Sequence, residues 1–290
     1  MSIARASTVL FLTIACCATA LAQTAAHIGV TAKARSIRPG ELVVLTITPH
    51  TAAREIQVRA FSRDIHAYQI GSSRWQALVG IDLTTTPGTY KASISASIGD
   101  TVNKTTYPLV VRARSFPTRT LTVDEAFVNP PPEAVEQIER DTETLTRIWA
   151  ASAQKKLWSG PFERPVPDPA NSRFGSRSIL NGQPRSPHSG ADFLSPEGRP
   201  VKAPNAGRVV FAGPLYFTGN TVIVDHGLGL FSLFAHLSTI DVHEGGDVTT
   251  GEVIGEVGAT GRVTGPHLHW TVRVNGARVD PLSLLEVLGH

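Results

Sequence analysis

The chain of 290 residues contains only two cysteines, Cys16 and Cys17, and both lie near its start. They belong to the stretch "MSIARASTVLFLTIACCATALAQ", where Arg5 precedes an apolar run that ends in the small-x-small pattern Ala20-Leu21-Ala22. This combination is typical of a secretory signal peptide over residues 1–22. An exported chain that then lacks cysteine forms no disulfides, so its hydrophobic core alone must hold the fold.

Long apolar runs and basic runs are also missing. The apolar run over residues 8–17 is too short to remain as a membrane-spanning helix, and no later stretch is longer. The formal net charge is +3, without a cluster of basic residues, which argues against nucleic-acid binding. We therefore expect a periplasmic, cell-envelope or secreted protein with no transmembrane segment in the mature chain. A retained anchor and acylation at Cys16 or Cys17 are the alternatives, and the preceding "LTIA" lacks the leucine usual in lipoproteins.

The composition of residues 23–113 predicts an immunoglobulin-like β-sandwich. The stretch "YKASISASI" (90–98) alternates strictly between apolar and polar residues, which is the pattern of a half-buried strand. Short strands separated by regular turn signals favour this fold. We find no catalytic motif here, and we interpret Trp75 and Tyr90 as core residues.

Residues 114–171 are predicted to form a linker with one helix at about 132–153. Prolines and glutamates mark the helix start, and an apolar stripe follows it at Val135, Ile138, Leu145 and Trp149. The proline-rich "GPFERPVPDPA" (160–170) then connects to the last domain. We expect a fragment beginning near residue 160 to fold on its own. The front domain is interpreted as a spacer or docking module, with an inhibitory or wall-binding role as alternatives.

Residues 172–290 contain short stretches typical of strands, separated by glycines. This pattern predicts a mostly antiparallel β-domain. The whole chain is therefore mainly β. Possible metal ligands are concentrated in this part of the chain. They are His188 and Asp192 in "HSGADF", His236 in "AHLS", and His267 and His269 in "GPHLHW".

Histidines two positions apart on a strand point to the same face, so His267 and His269 would share one pocket. Catalytic zinc is held by three protein ligands, such as two histidines and a carboxylate, and keeps a position for water. Two further histidines would remain to move protons. Each motif alone also fits ordinary, partly buried histidines. The joint order of HxxxD, AHL and GPHLH in one exported β-domain is far more specific.

The segment from "RFGSRS" to "VDPLSLL" (173–285) resembles the lysostaphin/LytM-type zinc metallopeptidases, a family of peptidoglycan endopeptidases. The front half resembles the β-domain and helical linker of some exported members only loosely. The matching stretches are "HSGADF" (188–193), "APNAGRVVFAG" (203–213), "VIVDHGLGLFSLFAHLS" (222–238), "GEVIGEVGATGRVTGPHLHW" (251–270) and "DPLSLL" (280–285).

The resemblance implies one Zn²⁺ per chain, bound by His188, Asp192 and His269, with His236 and His267 as catalytic residues. It implies hydrolysis of peptide bonds in peptidoglycan stems or cross-links by a metal-activated water. Inactive relatives typically lack some of these residues, so the intact set favours an enzyme. Phe234 stands where the family often has tyrosine, and this affects no catalytic position.

Two kinds of protein are alternatives to an enzyme. The first is a non-catalytic cell-wall-binding module or an activator of another peptidoglycan hydrolase. The second is a lipoyl-like carrier, which would need a lysine at a hairpin tip, and residues 203–290 contain none. Whether the bond cut is Gly-Gly or a D-Ala-diaminopimelate cross-link stays open, as do a protein regulator and the oligomeric state.

Three other motifs are interpreted as structural. "HEGG" (243–246) begins like a zinc-binding HExxH but lacks the second histidine, and we predict a turn. His226 has no ligand partner at a suitable spacing. "GATGRVTG" (258–265) lacks the lysine and the βαβ context of a phosphate-binding loop, so it does not predict a nucleotide site.

Overall fold

The computed structural model describes residues 28–122, 128–171 and 173–289. The predicted signal peptide lies outside the described residues. No helix in the described ranges is long and apolar enough to cross a membrane. The molecule is mainly β, as the sequence predicted.

The front domain is a sandwich of antiparallel strands. The strands follow one another in the order β1-β2-β5-β4-β3-β6-β7. Strand β4 pairs with β3 along its first half and with β5 along its last three residues, so the sheet folds over there and its halves enclose one core. The strands are β1 (Ile28–Ala34), β2 (Leu42–Pro49), β3 (Glu55–Ala60), β4 (Arg63–Gln69), β5 (Trp75–Gly80), β6 (Gly88–Ile98) and β7 (Thr101–Val111).

The alternation of apolar and polar residues over 90–98 determines which side chains of β6 enter this core. Ala92, Ile94 and Ala96 of β6 are fully buried, while the residues between them face outward or lie at the surface. Trp75 and Tyr90 are half-buried against the same core, in agreement with their interpretation. The sandwich of immunoglobulin type is therefore present.

The segment predicted as a linker is packed against the rest of the molecule, which corrects that interpretation. Strand β8 (Thr118–Leu121) pairs in parallel with β9 (Arg177–Leu180). Trp158, Phe162 and Val166 are buried in the core of the last domain. Proline disfavours helix interiors and central strands, but it does not prevent the side chains between prolines from being buried.

Helix α1 (Pro132–Ala150) begins with proline in its first turn, where a missing N–H is tolerated. Leu145, Ile148 and Trp149 pack on the outer face of the last domain's sheet. The predicted stripe is wrong at its first position, because Val135 is 45% exposed. Only the second half of the helix reaches the sheet, so periodicity alone overestimated the buried face.

The last domain is built on an antiparallel sheet of nine strands. Its main path is β11-β18-β15-β14-β13-β16, with β12, β17 and β19 attached beside it. A separate small sheet has the order β10-β9-β8. The remaining elements are β10 (Gln183–Pro184), β11 (Gly190–Phe193), β12 (Pro200–Lys202), β13 (Gly207–Leu215), β14 (Gly219–Gly227), β15 (Leu230–Ile240), β16 (Asp247–Val248), β17 (Val253–Val257), β18 (Leu268–Val274), β19 (Ala277–Val279) and α2 (Pro281–Leu288).

The front and last domains share a packed boundary. Leu42, Val44 and Leu78 of the front sandwich belong to the same buried cluster as the core of the last domain. Asp280, which caps α2 by accepting a hydrogen bond from the backbone of Leu282, is 1% exposed. It also forms ion pairs with two arginines of the front half, Arg35 and Arg114. The two domains therefore form one unit.

Candidate metal centre and active site

Three neighbouring strands bring the candidate residues together. In the antiparallel pair of β11 and β18, Asp192 lies directly opposite His269. Strand β15 borders β18 on its other side, where Ala235 lies opposite His269, next to His236 in the chain. His188 precedes β11 by two residues. Residues that are as far apart in the sequence as His188 and His269 therefore lie in one cluster because of the sheet register.

His188, Asp192 and His269 form a compact donor set. Asp192 Oδ1 lies 3.0 Å from His188 Nε2 and 2.9 Å from His269 Nδ1. One ligand atom from each residue lies within 4.8 Å of the others, and no other such group of three occurs in the described part of the chain. The side chains are 12% to 25% exposed, so they are sheltered but reachable.

These residues suit Zn²⁺. Tetrahedral zinc with bonds of about 2.0–2.1 Å separates its ligand atoms by about 3.4 Å. The two separations from Asp192 Oδ1, 3.0 Å and 2.9 Å, are a few tenths of an ångström shorter than this, and small side-chain rotations can increase them. Two imidazole nitrogens and one carboxylate oxygen are also the donor types that zinc prefers in catalytic sites.

The protonation states also suit metal binding. Burial raises the pKa of Asp192, but hydrogen bonds from His188 and His269 outweigh it and hold that pKa well below its usual range. Burial lowers the pKa of His269, and the hydrogen bond with Asp192 offsets this only in part. An ionised carboxylate and a neutral imidazole are the forms that bind a metal.

Sequence reasoning missed the groups that orient His269. Its Nε2 lies 3.0 Å from Thr271 Oγ1, and this contact leaves Nδ1 directed at Asp192. Gly190 lies against the same ring, because a Cβ at that position would fall 2.8 Å from two ring atoms. Thr271 had a signal in the sequence, since it extends HxH to HxHxT on the same strand face.

His236 sits at a bulge in β15. The pairing with β14 shifts there, so Ala235 and His236 lie opposite a single residue. His236 has φ of 65°, which is uncommon for a residue other than glycine. Its backbone N–H donates to Thr218 O at 2.8 Å, which holds this conformation. The bulge re-aims the side chain toward the cluster.

Backbone carbonyls fix the tautomers of the two remaining histidines. His236 Nδ1 lies 2.9 Å from Thr260 O, and His267 Nδ1 lies 2.9 Å from Gly265 O. A carbonyl only accepts, so Nδ1 carries the hydrogen in each ring and the neutral ring keeps an unprotonated Nε2. Their ring centroids are 4.9 Å apart, and His267 Nε2 lies 3.9 Å from Asp192 Oδ1. Burial lowers the pKa of His236 to about 4, which favours the neutral form.

The other motifs have structural surroundings. His226 is fully buried between Ala206 O at 2.8 Å and Ser232 Oγ at 3.0 Å, in agreement with its interpretation. "HEGG" (243–246) contains a turn. The glycine-rich stretch 258–265 supplies both carbonyls that hold His236 and His267, so it frames the candidate site.

The fold and the site define a β-sheet protein with a candidate metal centre. The model of peptidase family M23 matches residues 186–281. A crystal structure from Pseudomonas aeruginosa, described as a peptidase M23, is 32% identical with a TM-score of 0.68 and covers 87% of this chain and 96% of that chain. The chain therefore belongs to peptidase family M23.

Two named relatives share the last domain. "DD-carboxypeptidase/endopeptidase Mpg" of Neisseria meningitidis is 47% identical over 97 residues, which are 33% of this chain and 22% of that protein. "Peptidoglycan DD-endopeptidase ShyA" of Vibrio cholerae is 42% identical over 98 residues, 34% of this chain and 23% of that protein. The chain thus matches less than a quarter of the length of these relatives.

Proposed function

We propose that this protein is an exported zinc endopeptidase that hydrolyses peptide bonds in peptidoglycan stems or cross-links. The observation that carries the proposal is the convergence of a three-ligand donor set with two histidines that each keep an unprotonated Nε2. The names of the relatives, which refer to peptidoglycan endopeptidases, support the substrate class. Peptidoglycan lies outside the cytoplasmic membrane, which agrees with the predicted signal peptide.

His188, Asp192 and His269 would hold the ion. Bound there, Zn²⁺ would polarise the scissile carbonyl and would lower the pKa of its water from 15.7 to about 7. The chain itself contributes the orientation of the ligands: the facing atoms of His188, Asp192 and His269 already lie close together, and Thr271 contacts Nε2 of His269 and so leaves Nδ1 for the ion.

His236 and His267 would handle the protons. Each presents an unprotonated Nε2 that can accept a proton from the attacking water and later donate it to the leaving amine. In its protonated form, either ring can also stabilise the oxyanion that develops on the scissile carbonyl. A non-catalytic wall-binding module or an activator would not need both of these histidines, so their presence favours an enzyme.

Single substitutions test this assignment. We expect His236→Ala and His267→Ala to bind zinc normally but to release fragments from peptidoglycan at least about 100-fold more slowly. His188→Ala, Asp192→Asn and His269→Ala should lose zinc as well as activity. His66→Ala, at an exposed position of the front domain, is the control and should behave as the wild type. Normal cleavage by all five site variants would refute the proposal.

A further inference from the structure

A three-residue turn beside the candidate active site holds the backbone of His236. The turn Tyr216–Thr218 joins β13 to β14. Thr218 O accepts the backbone N–H of His236 at 2.8 Å, and Thr218 Oγ1 lies 2.9 Å from Thr221 Oγ1 in β14. A shift of this turn would therefore move the acceptor that keeps His236 in its left-handed conformation.

Helix α1 holds the start of this turn through one side chain. Asp141 Oδ2 accepts the backbone N–H of Tyr216 at 2.7 Å, and no backbone carbonyl of the described residues accepts that N–H. Asp141 is half-buried, whereas its neighbours Arg140 and Thr142 are exposed. A carboxylate forms a stronger hydrogen bond with a backbone N–H than a neutral acceptor does. The helix therefore fixes the turn two residues before the carbonyl that holds His236.

The position of Asp141 in the helix also indicates a role beyond helix formation. Aspartate is among the weaker helix formers, and Asp141 lies in the middle of a helix of 19 residues, away from the first turn where a carboxylate is favoured. The last turns of the same helix pack on an apolar cluster of β14 and β15 that includes Ala235, the residue before His236. Helix α1 therefore contacts both the turn that holds His236 and the strand that contains it.

We propose that Asp141 is a positioning residue for His236 and acts through the turn Tyr216–Thr218. This inference rests on the proposed function and adds a residue to it. Within the described ranges, the turn forms no hydrogen bond with the three candidate metal ligands. Loss of the Asp141 carboxylate therefore displaces His236, which would handle protons, and leaves the zinc ligands in place.

The placement of His236 can be measured without turnover. The probe is the backbone amide of His236, followed by hydrogen exchange in the full mature chain labelled with ¹⁵N-histidine, and His236→Gln identifies its NMR signal. We expect Asp141→Ala to raise the exchange rate of this amide about tenfold or more, because its acceptor is no longer held. The amide of His269, on a strand with neighbours on both sides, should exchange as in the wild type. Alanine is a better helix former than aspartate, so α1 itself should stay intact.

Two further variants separate positioning from a general effect on the helix. Asp141→Asn keeps a side-chain oxygen that can accept the same N–H, so it should restore an exchange rate close to that of the wild type. Glu143→Ala is the matched control, since Glu143 is an exposed acidic residue on the same helix. It should leave the exchange of the His236 amide unchanged.

Cleavage of a soluble cross-linked muropeptide gives a second readout. We expect Asp141→Ala to lower kcat about tenfold, because a small misplacement of a group that transfers protons slows the reaction strongly. KM and the zinc dissociation constant should stay within about twofold of the wild-type values, since substrate and metal binding are not affected. Asp141→Asn should recover most of kcat.

Four results would each overturn the inference. They are an unchanged His236 amide in Asp141→Ala, an unchanged kcat in this variant of an active enzyme, an equal defect in Asp141→Asn or Glu143→Ala, and a loss of zinc affinity together with kcat. A wild type that binds zinc but does not cleave peptidoglycan would instead refute the proposed function. The exchange measurement would still decide whether Asp141 holds His236.

Discussion

At the scale of single residues, the candidate site depends on side-chain and backbone groups that hold its histidines in place. His269 is fixed between Asp192 and Thr271, and His236 is fixed between Thr218 and Thr260. The left-handed backbone of His236 is strained for a residue with a Cβ, and such strain persists where surrounding contacts outweigh it. Positions of this kind cluster at functional sites, which agrees with the role proposed for His236.

Thr271 gives a first prediction at this scale. Thr271→Val keeps the shape of the side chain but removes the partner of His269 Nε2, so the ring loses its fixed orientation. We expect the zinc dissociation constant to rise about 10- to 100-fold. Competition with a chelating dye measures it, and Thr106→Val on the exposed face of β7 is the control. Unchanged zinc affinity would show that Thr271 does not orient the ligand.

His226 gives a prediction about pH. Burial lowers its pKa to about 4, below the value of about 6.5 in the unfolded chain. Above pH 6.5 neither state binds the extra proton, but as the pH falls toward 4 the unfolded chain takes it up first. The stability from this group is therefore present above pH 6.5 and lost on acidification, by about 2 to 3 kcal/mol between pH 7.5 and 4.5.

The comparison with His226→Gln isolates this contribution. The variant lacks the titrating group, so its free energy of unfolding should fall less steeply over the same pH range. Urea denaturation at pH 7.5 and 4.5 gives both slopes. If wild type and variant lose the same free energy, His226 does not titrate as its burial indicates.

At the scale of secondary-structure elements, the apolar packing of α1 on the sheet comes from its last turns. Trp149 packs edge-on against Phe231 at 5.3 Å and lies under Arg273 at 4.8 Å, while Val135 near the other end is exposed. We expect Trp149→Ala to reduce the free energy of unfolding by about 2 kcal/mol, less than a fully buried tryptophan would cost. Val135→Ala on the same helix should change it by less than about 0.5 kcal/mol. Chemical denaturation measures the free energy of unfolding of both variants. An equal loss in the two would contradict this packing.

The strands of the front domain were predictable because alternation is a local property of the sequence. The pairing of β8 with β9 was not, because β8 is short, fully exposed and carries no apolar pattern. The candidate ligands were predictable from HxxxD and HxH. The carbonyls of Thr260 and Gly265 and the bulge at His236 were not, since backbone atoms leave no residue signature.

At the scale of the whole molecule, the front domain is a structural partner of the last domain. The shared core and the ion pairs of Asp280 with Arg35 and Arg114 lead us to revise the expectation for a fragment beginning near residue 160. Such a fragment would lose Trp158 from its core and the front-domain residues that cover it. We now expect it to be unstable or to aggregate, which size-exclusion chromatography and circular dichroism would reveal.

The ion pairs at this boundary provide a test in the intact chain. Asp280→Ala leaves Arg35 and Arg114 half-buried with one acidic partner fewer and removes the cap of α2. We expect a loss of about 3 kcal/mol in the free energy of unfolding. Asp64→Ala, which breaks the exposed pair with Arg59, should cost at most about 1 kcal/mol. A similar small effect for both would mean that the two domains are only loosely coupled.

The central proposal is that this chain acts as a zinc-dependent peptidoglycan endopeptidase. The most direct measurement is the zinc content of the purified mature protein together with its release of soluble muropeptides from whole peptidoglycan, with and without a chelator. The account predicts about one zinc per chain and release that the chelator abolishes and added zinc restores. A folded protein that binds no zinc, or release that the chelator does not affect, would contradict it.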